Sequence, residues 1–463
     1  MTTTSSRAAP SQATLAAIRF GYGLSPDQPA PRGPAALLDQ LKGPDTAAQQ
    51  FPVPDTALFL THLNAMKTAQ RARRQKEPGA EEAVKTATGD LSRTWLAGMR
   101  GQMARAAFSD QGFRERLAFF WCDHFTVVSK TGPTLLGPDA FAEDAIRPHL
   151  ATTFPQMLRA AVTHPAMLLY LDQNRSVGPQ SKFGLKRHVG LNENLGRELM
   201  ELHTLGVGAP YTQTDVRQLA KLLTGLGFNS QQGFVFHPNW AQPGAETVLG
   251  KRYGGETPAK LSDIYDALDD IALNPATAHH LAHKLAVHFV SDSPDPAFVA
   301  HIAQRYSATK GDLPATYAAL LEHPAAWAPR REKTRQPWDF LAASLRAMAP
   351  PADLVARLDD KKTRQFIRNP LTAMGQRYQS PNGPNGWAED ARAWITPQAL
   401  SDRINWSMRM SSFLERYLPD PRVFLHTALG DAASPALITA AARASNKREG
   451  NGLILASADF NRR

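Results

Sequence analysis

Asn192-Glu193-Asn194-Leu195-Gly196-Arg197-Glu198-Leu199-Met200-Glu201-Leu202-His203-Thr204 decides the fold class of this chain. Its polar and apolar residues recur with the period of an α-helix, not of a strand. At ~100° per residue, Asn194, Arg197, Glu198 and Glu201 share one face, with Glu193 beside it. Leu195, Leu199 and Leu202 form the opposite stripe, at the spacing of a face packed on a core. Arg197 is flanked by Glu193 at i−4 and by Glu201 at i+4.

Two readings of the charged face are open. One is a salt-bridge ladder of the kind that i,i+4 pairs build on helices. The other is a site. Glu198 and Glu201, at i and i+3, can hold a divalent metal or act as an acid/base pair. Arg197 can orient an anionic ligand, with Asn194 and Glu193 contacting substrate. His203 lies about 140–160° around a regular helix from both glutamates, so the three do not meet on one metal. It points toward the apolar side. So does His124, in the stripe Phe113, Leu117, Phe120, Trp121, His124 and Val128 of a helix expected over 113–128. The two histidines are placed to meet in the interior, as structural groups or as proton carriers.

Helical periodicity also dominates outward from this segment. Helices are expected around 13–20, 34–41, 91–108 and 139–171, in the segment opened by the capping-box pair Thr212 and Asp215, and from Ser262 to Met348. Residues 228–254 are the exception and read as a small β-hairpin or extended arm. The fold expected is mainly α, a large multi-helix bundle-like array. It is read as one continuous unit over 1–463, within which 1–110 and 262–463 could form N- and C-terminal helical parts. A Gly/Lys/Gln-rich loop, 177–190, precedes the central motif, and loops of that length are often functional. Asp172 and Asn174 follow the apolar run Leu168-Leu169-Tyr170-Leu171, at the rim of a pocket or in a turn. Trp387 and Trp394 flank a Pro/Asn/Gly loop, as a sugar platform or as loop anchors. The i,i+4 pair His279/His283 has metal-ligand spacing without a carboxylate nearby.

Composition narrows the classes. The chain has 463 residues, 43% of them hydrophobic, and a formal charge of +10. No apolar run approaches the ~18 residues of a membrane span. Basic residues are scattered rather than striped, which argues against nucleic acid and for an acidic ligand or partner. The single cysteine, Cys122, excludes a multi-cysteine metal site. Met1–Arg19 lacks the apolar block of a secretory signal, from which a cytoplasmic location is expected. P-loop, nucleophile-elbow, H-E-x-x-H and dinucleotide motifs are not found.

The central motif, together with Phe120-Trp121-Cys122-Asp123-His124-Phe125, 167–176, 211–227, Gly386-Trp387…Trp394…Arg403 and Ala456-Ser457-Ala458-Asp459-Phe460-Asn461-Arg462-Arg463, resembles the bacterial domain of unknown function 1800 family. The resemblance spans nearly the whole chain and implies one continuous helical architecture. It carries no established activity. It implies bacterial relatives that are often exported and encoded beside sulfatase- or phosphatase-like proteins, hence a partner of that kind. In the family pattern a histidine stands where this chain has Cys122. A His-Asp pair also stands where it has Ala241 and Gln242. If those groups are metal ligands in relatives, this chain has lost them, so one divalent metal or none is expected.

Three functions follow as expectations. The first is a carboxylate- or metal-dependent, hydrolase-like enzyme acting on a polar or saccharide small molecule, with Glu198, Glu201, Arg197, His203 and His124 as its machinery. The second is a non-catalytic scaffold in which the same residues form a buried ion-pair spine. The third is a carbohydrate-binding protein using the tryptophan loop.

Overall fold

The computed structural model describes residues 9–187, 190–256 and 258–463. Parts of the N-terminal stretch and of the 177–190 loop read above therefore lie outside the described residues. The fold is mainly α-helical, with two small antiparallel hairpins.

Helix α1, Ala80–Phe108, begins about three turns before the expected start at Leu91. Gly79, at φ 76° after Pro78, turns the chain into it, and Glu81 and Glu82 sit at its positive end. Helix α2, Gly112–His124, ends four residues short of the expected Val128. Its last N–H bond runs from Phe125 to the Trp121 carbonyl, and the Thr126 hydroxyl takes the Asp123 carbonyl at 2.6 Å, which stops the helical ladder. Helix α3 is regular only over Asn194–Glu198 and continues as a π turn, Leu199–His203. Of three further π turns among the described residues, Ala16–Phe20, Ala142–Ile146 and Arg364–Arg368, the first carries the buried Arg19 and the second the half-buried Glu143. Helix α4, Gln213–Leu222, opens on the reciprocal Thr212/Asp215 cap, a motif worth about 1 kcal/mol.

The arm after α4 holds two hairpins rather than one. Strands β1 (Leu226–Asn229) and β2 (Gly233–Phe236) pair with Phe228 opposite Phe234. Strands β3 (Ala245–Val248) and β4 (Lys251–Gly254) are joined by Leu249-Gly250, both at positive φ, as a tight two-residue turn requires. The Asp215 carboxylate accepts the Leu249 N–H at 2.8 Å and ties that turn back to α4. Helices α5 (Pro275–Phe289), α6 (Pro337–Met348), α7 (Pro397–Phe413) and α8 (Lys447–Ala456) complete the frame used below.

Two apolar cores result. One gathers Phe20, Phe113, Trp121, Phe154, Leu199, Leu219 and Phe289. The other gathers Leu96, Met103, Trp338, Phe340, Trp406, Phe424 and Phe460. Each fully buried side chain of this size contributes roughly 1.5–3 kcal/mol. Helix α1 serves both, through Leu91 in the first and Leu96 to Ala107 in the second. Helix α2 lies at the seam. Among the described residues no helix is long and apolar enough to cross a membrane.

Candidate functional site

The charged stripe of α3 lies partly in solvent. Arg197 is 39% exposed and sits 3.6 Å from Glu193 and 3.5 Å from Glu201, themselves 32% and 29% exposed. Gln213 of α4 closes the ring. It accepts from Arg197 at 3.2 Å and donates to Glu193 at 3.1 Å. Asn194 is exposed, and its backbone N–H is held by the Asn192 side chain. Glu198 alone pairs with no basic group among the described residues. Burial, then the charge of Glu201, raises its pKa. Asp172 adopts a left-handed φ of 56°, pairs with Lys130 at 2.9 Å and lines a cavity with Tyr170 and Arg175. Asn174 is half-buried, and its side-chain oxygen finds no hydrogen bond among the described residues.

His124 and His203 do meet inside, with ring centres 6.2 Å apart. The π turn ends α3 with orphan carbonyls, and imidazoles cap two of them. His124 Nε2 reaches the His203 carbonyl, and His280 Nε2 the Leu202 carbonyl, each at 3.1 Å. A carbonyl only accepts, so both rings carry their proton on Nε2. Burial, then Lys284, pushes His203 down to about 3 and His280 to about 4, and holds His124 well below its usual range. These rings are neutral at physiological pH. His279 and His283 lie on the solvent face of α5.

A cavity of about 920 Å³, including its open mouth, lies beside α2 rather than α3. Tyr22, Phe119, Phe141, Trp338 and Trp387 give it aromatic walls, and Asp123, Cys122 and the Glu115–Arg147 pair supply polar groups. Asp123 is fixed on one side only. Its Oδ1 accepts the Trp387 N–H at 2.9 Å, while Oδ2 makes no hydrogen bond with the described residues. Gly386, at φ 78°, allows this approach, since a Cβ there would lie 2.7 Å from the carboxylate oxygens. Loss of solvation pushes Asp123 up to about 7, against the Trp387 N–H and Lys284. Burial also drives the Cys122 thiol far up, so it stays protonated and unreactive. Behind the wall, Asp139 accepts at one oxygen from Tyr378 at 2.9 Å and Gln379 at 2.5 Å. Its other oxygen rests on Gly98, where a Cβ would sit 2.5 Å away. Burial raises Asp139 to about 7 as well.

Interior ion pairs surround the cavity, and the sequence reading did not find them. Arg147 makes a bidentate pair with Glu115 at 2.7 and 3.0 Å and a second pair with Asp45. Asp339, with a side chain 3% exposed, pairs with Arg335 at 2.7 Å, Arg116 at 3.1 Å and Arg463 at 3.3 Å. Glu389 forms an ion pair with Lys333 at 3.0 Å and accepts from His288 Nδ1 at 2.5 Å, while Lys333 donates to the Glu389 backbone carbonyl at 2.8 Å. The only sequence signal for them was the density of charge in Arg114-Glu115-Arg116 and in the final segment.

The positions singled out by resemblance do not suit a metal. Ala241 packs in the interior. Gln242 is engaged with Gln180 in both directions, at 3.1 and 3.2 Å. Among the described residues no three His, Cys, Asp or Glu side chains gather closely enough to hold an ion. Trp387 and Trp394 touch edge to face, but Trp394 is 4% exposed and donates to the Ala388 carbonyl, so they form no open platform.

A family model described as "Protein of unknown function (DUF1800)" matches residues 15–462. No curated protein and no solved structure matches the chain.

Proposed function

The chain belongs to the DUF1800 family of proteins of unknown function, and within it we propose a carboxylate-dependent, hydrolase-like enzyme that works in the cavity beside α2. One observation carries this reading: Asp123 is anchored through one oxygen to the Trp387 N–H and leaves the other free at the cavity wall, with a pKa near 7. A proton-transfer group is most effective when its pKa lies near the working pH. The aromatic walls suit the body of a small molecule, and a few polar groups suit its orientation. Because the Cys122 thiol stays protonated, water is the nucleophile in this scheme and Asp123 its general base. The α3 stripe is then helix stabilisation, with Arg197 satisfied from both sides. Glu198 supports a second reading, because it is the one acid of that stripe without a base and its pKa is raised.

A panel of nitrophenyl esters, phosphates and glycosides tests both. With Asp123→Asn, hydrolysis should fall about 10²–10⁴-fold, and the wild-type kcat/KM should titrate near pH 7. Glu198→Gln should leave the rate unchanged. Full activity in Asp123→Asn would remove the proposal, and a loss confined to Glu198→Gln would move the site to α3.

A further inference from the structure

The inner cavity adjoins a second of about 620 Å³, with which it shares Pro138, Arg377, Tyr378 and Gln379. The charged residues lining this outer cavity are Arg368 and Arg377, and among the described residues no carboxylate lines it. Both arginines are exposed. The Arg377 side chain makes no hydrogen bond or ion pair with a described residue, and Arg368 reaches only the Asn369 side chain, at 3.5 Å. Arg368 instead lies over the Trp95 ring, 5.8 Å from its centre, which limits its freedom.

The hydroxyls nearby sharpen the imbalance. Ser129 and Thr372 donate to the carbonyls of Thr131 and Arg368, and Tyr378 and Gln379 donate inward to Asp139. What remains for a ligand is two guanidinium forks, which only donate, and the Ser380 hydroxyl, which donates or accepts; the Gln379 Oε1 is buried and makes no hydrogen bond with a described residue. Two forks without a competing carboxylate match an oxyanion of charge near −2, which each can engage through paired N–H groups.

We propose that the outer cavity binds the phosphate head of an amphiphilic anion whose apolar body lies in the inner cavity. This rests on the inner cavity being the working site. The shared wall of Arg377, Tyr378 and Gln379 is the point where head and body divide. The head could belong to a soluble alkyl phosphate or to a membrane lipid with the same group, so both are tested.

Calorimetry on the full chain would compare octyl phosphate, octan-1-ol and inorganic phosphate, for wild type and for Arg368→Gln/Arg377→Gln. Sedimentation with phosphatidylcholine vesicles, with and without phosphatidic acid, forms the second arm. Octyl phosphate should bind wild type at least about tenfold tighter than the double variant, through lost charge-assisted bonds. Octan-1-ol should bind both equally. Both side chains are exposed, so the variant's melting temperature should match wild type and exclude misfolding. Arginine-dependent binding to phosphatidic acid vesicles supports the same site and assigns the head to a lipid. Its absence, with octyl phosphate bound, supports the site and assigns the head to a soluble ester. Equal affinity of wild type and variant for octyl phosphate overturns the anion site while leaving the inner cavity intact. Arginine-dependent binding of inorganic phosphate without any binding of octan-1-ol keeps an anion site. That result overturns the shared ligand, and the inner-cavity reading with it.

Discussion

Helices α3 and α2 each carry acids and arginines in close succession, yet Arg197 of α3 stands 39% exposed between two glutamates of its own helix, whereas Arg116 of α2 is 1% exposed and finds Asp339 at 3.1 Å. The α3 pairs are local, long at 3.5 and 3.6 Å, and shared with water. Such pairs are worth about 0.2–0.5 kcal/mol each. The α2 pairs are distant in sequence and buried, and the Glu115–Arg147 pair is bidentate. Removing one partner there leaves a charge that neither water nor protein solvates, which costs about 3–5 kcal/mol. Charge density in sequence is therefore the same signal for two opposite situations. Whether the partner comes from the next turn or from another part of the chain separates them.

The sharpest way to break this contrast is Asp339→Asn. It leaves Arg335, Arg116 and Arg463 without their common counter-charge, and denaturant unfolding should show a loss of about 3–5 kcal/mol. A loss under 1 kcal/mol would mean that the interior pairs are no more demanding than the ladder on α3.

Next in size is the pH response of the buried acid under α1. Asp139 has an ordinary pKa of 3.8 when unfolded and one near 7 when folded, so across that window only the native state holds its proton. The Asp139 contribution to stability then falls as pH rises from about 4 to about 7, by roughly 4 kcal/mol, and is flat above. Asp123 adds a slope of the same sign. The buried histidines, whose pKa values are lowered, add a slope of the opposite sign below about pH 6.5. The test is therefore the difference between wild type and Asp139→Asn. It should change by roughly 4 kcal/mol between about pH 4 and 7, and a pH-independent difference would show that Asp139 is ionised in the fold.

The smallest effect belongs to α3. Arg197→Ala removes both ladder pairs and should cost about 0.4–1 kcal/mol at low salt. In 1 M sodium chloride the difference should nearly vanish, since screening acts within ~3 Å. A salt-independent loss near the Asp339 value would make α3 an interior spine after all.

Much of the architecture was legible because it is local. The Leu195 and Leu199 part of the α3 stripe, the Thr212/Asp215 cap and the non-helical arm each depend on residues within a few positions of one another, and each is present. The π turn, by contrast, leaves Leu202 half-buried and buries Met200 and His203 instead. The end of α2 was not legible, because it depends on Thr126 folding back and on the distant Trp387 N–H. The burial of Arg114, Glu115 and Arg116 was not legible for the same reason. Their partners stand at Gln40, Arg147 and Asp339, and a helical wheel shows none of them. The meeting of His124 and His203 could be anticipated from two apolar stripes. The cavity could not, because Asp123 becomes its wall only when the 386–387 turn closes on it.

The π turn of α3 spaces its backbone bonds five residues apart instead of four, so it holds one residue more than a regular turn. Counted in codons, it is a single-residue surplus that can be undone in one step. Deleting Met200 would let the ladder close as an ordinary α-helix. The same deletion would rotate everything from Glu201 onward and take the His203 carbonyl away from His124. A length change of one residue, too small to alter any element in a sequence comparison, would thus rearrange the imidazole-capped interior while leaving the Arg197–Glu193 contact on the surface untouched.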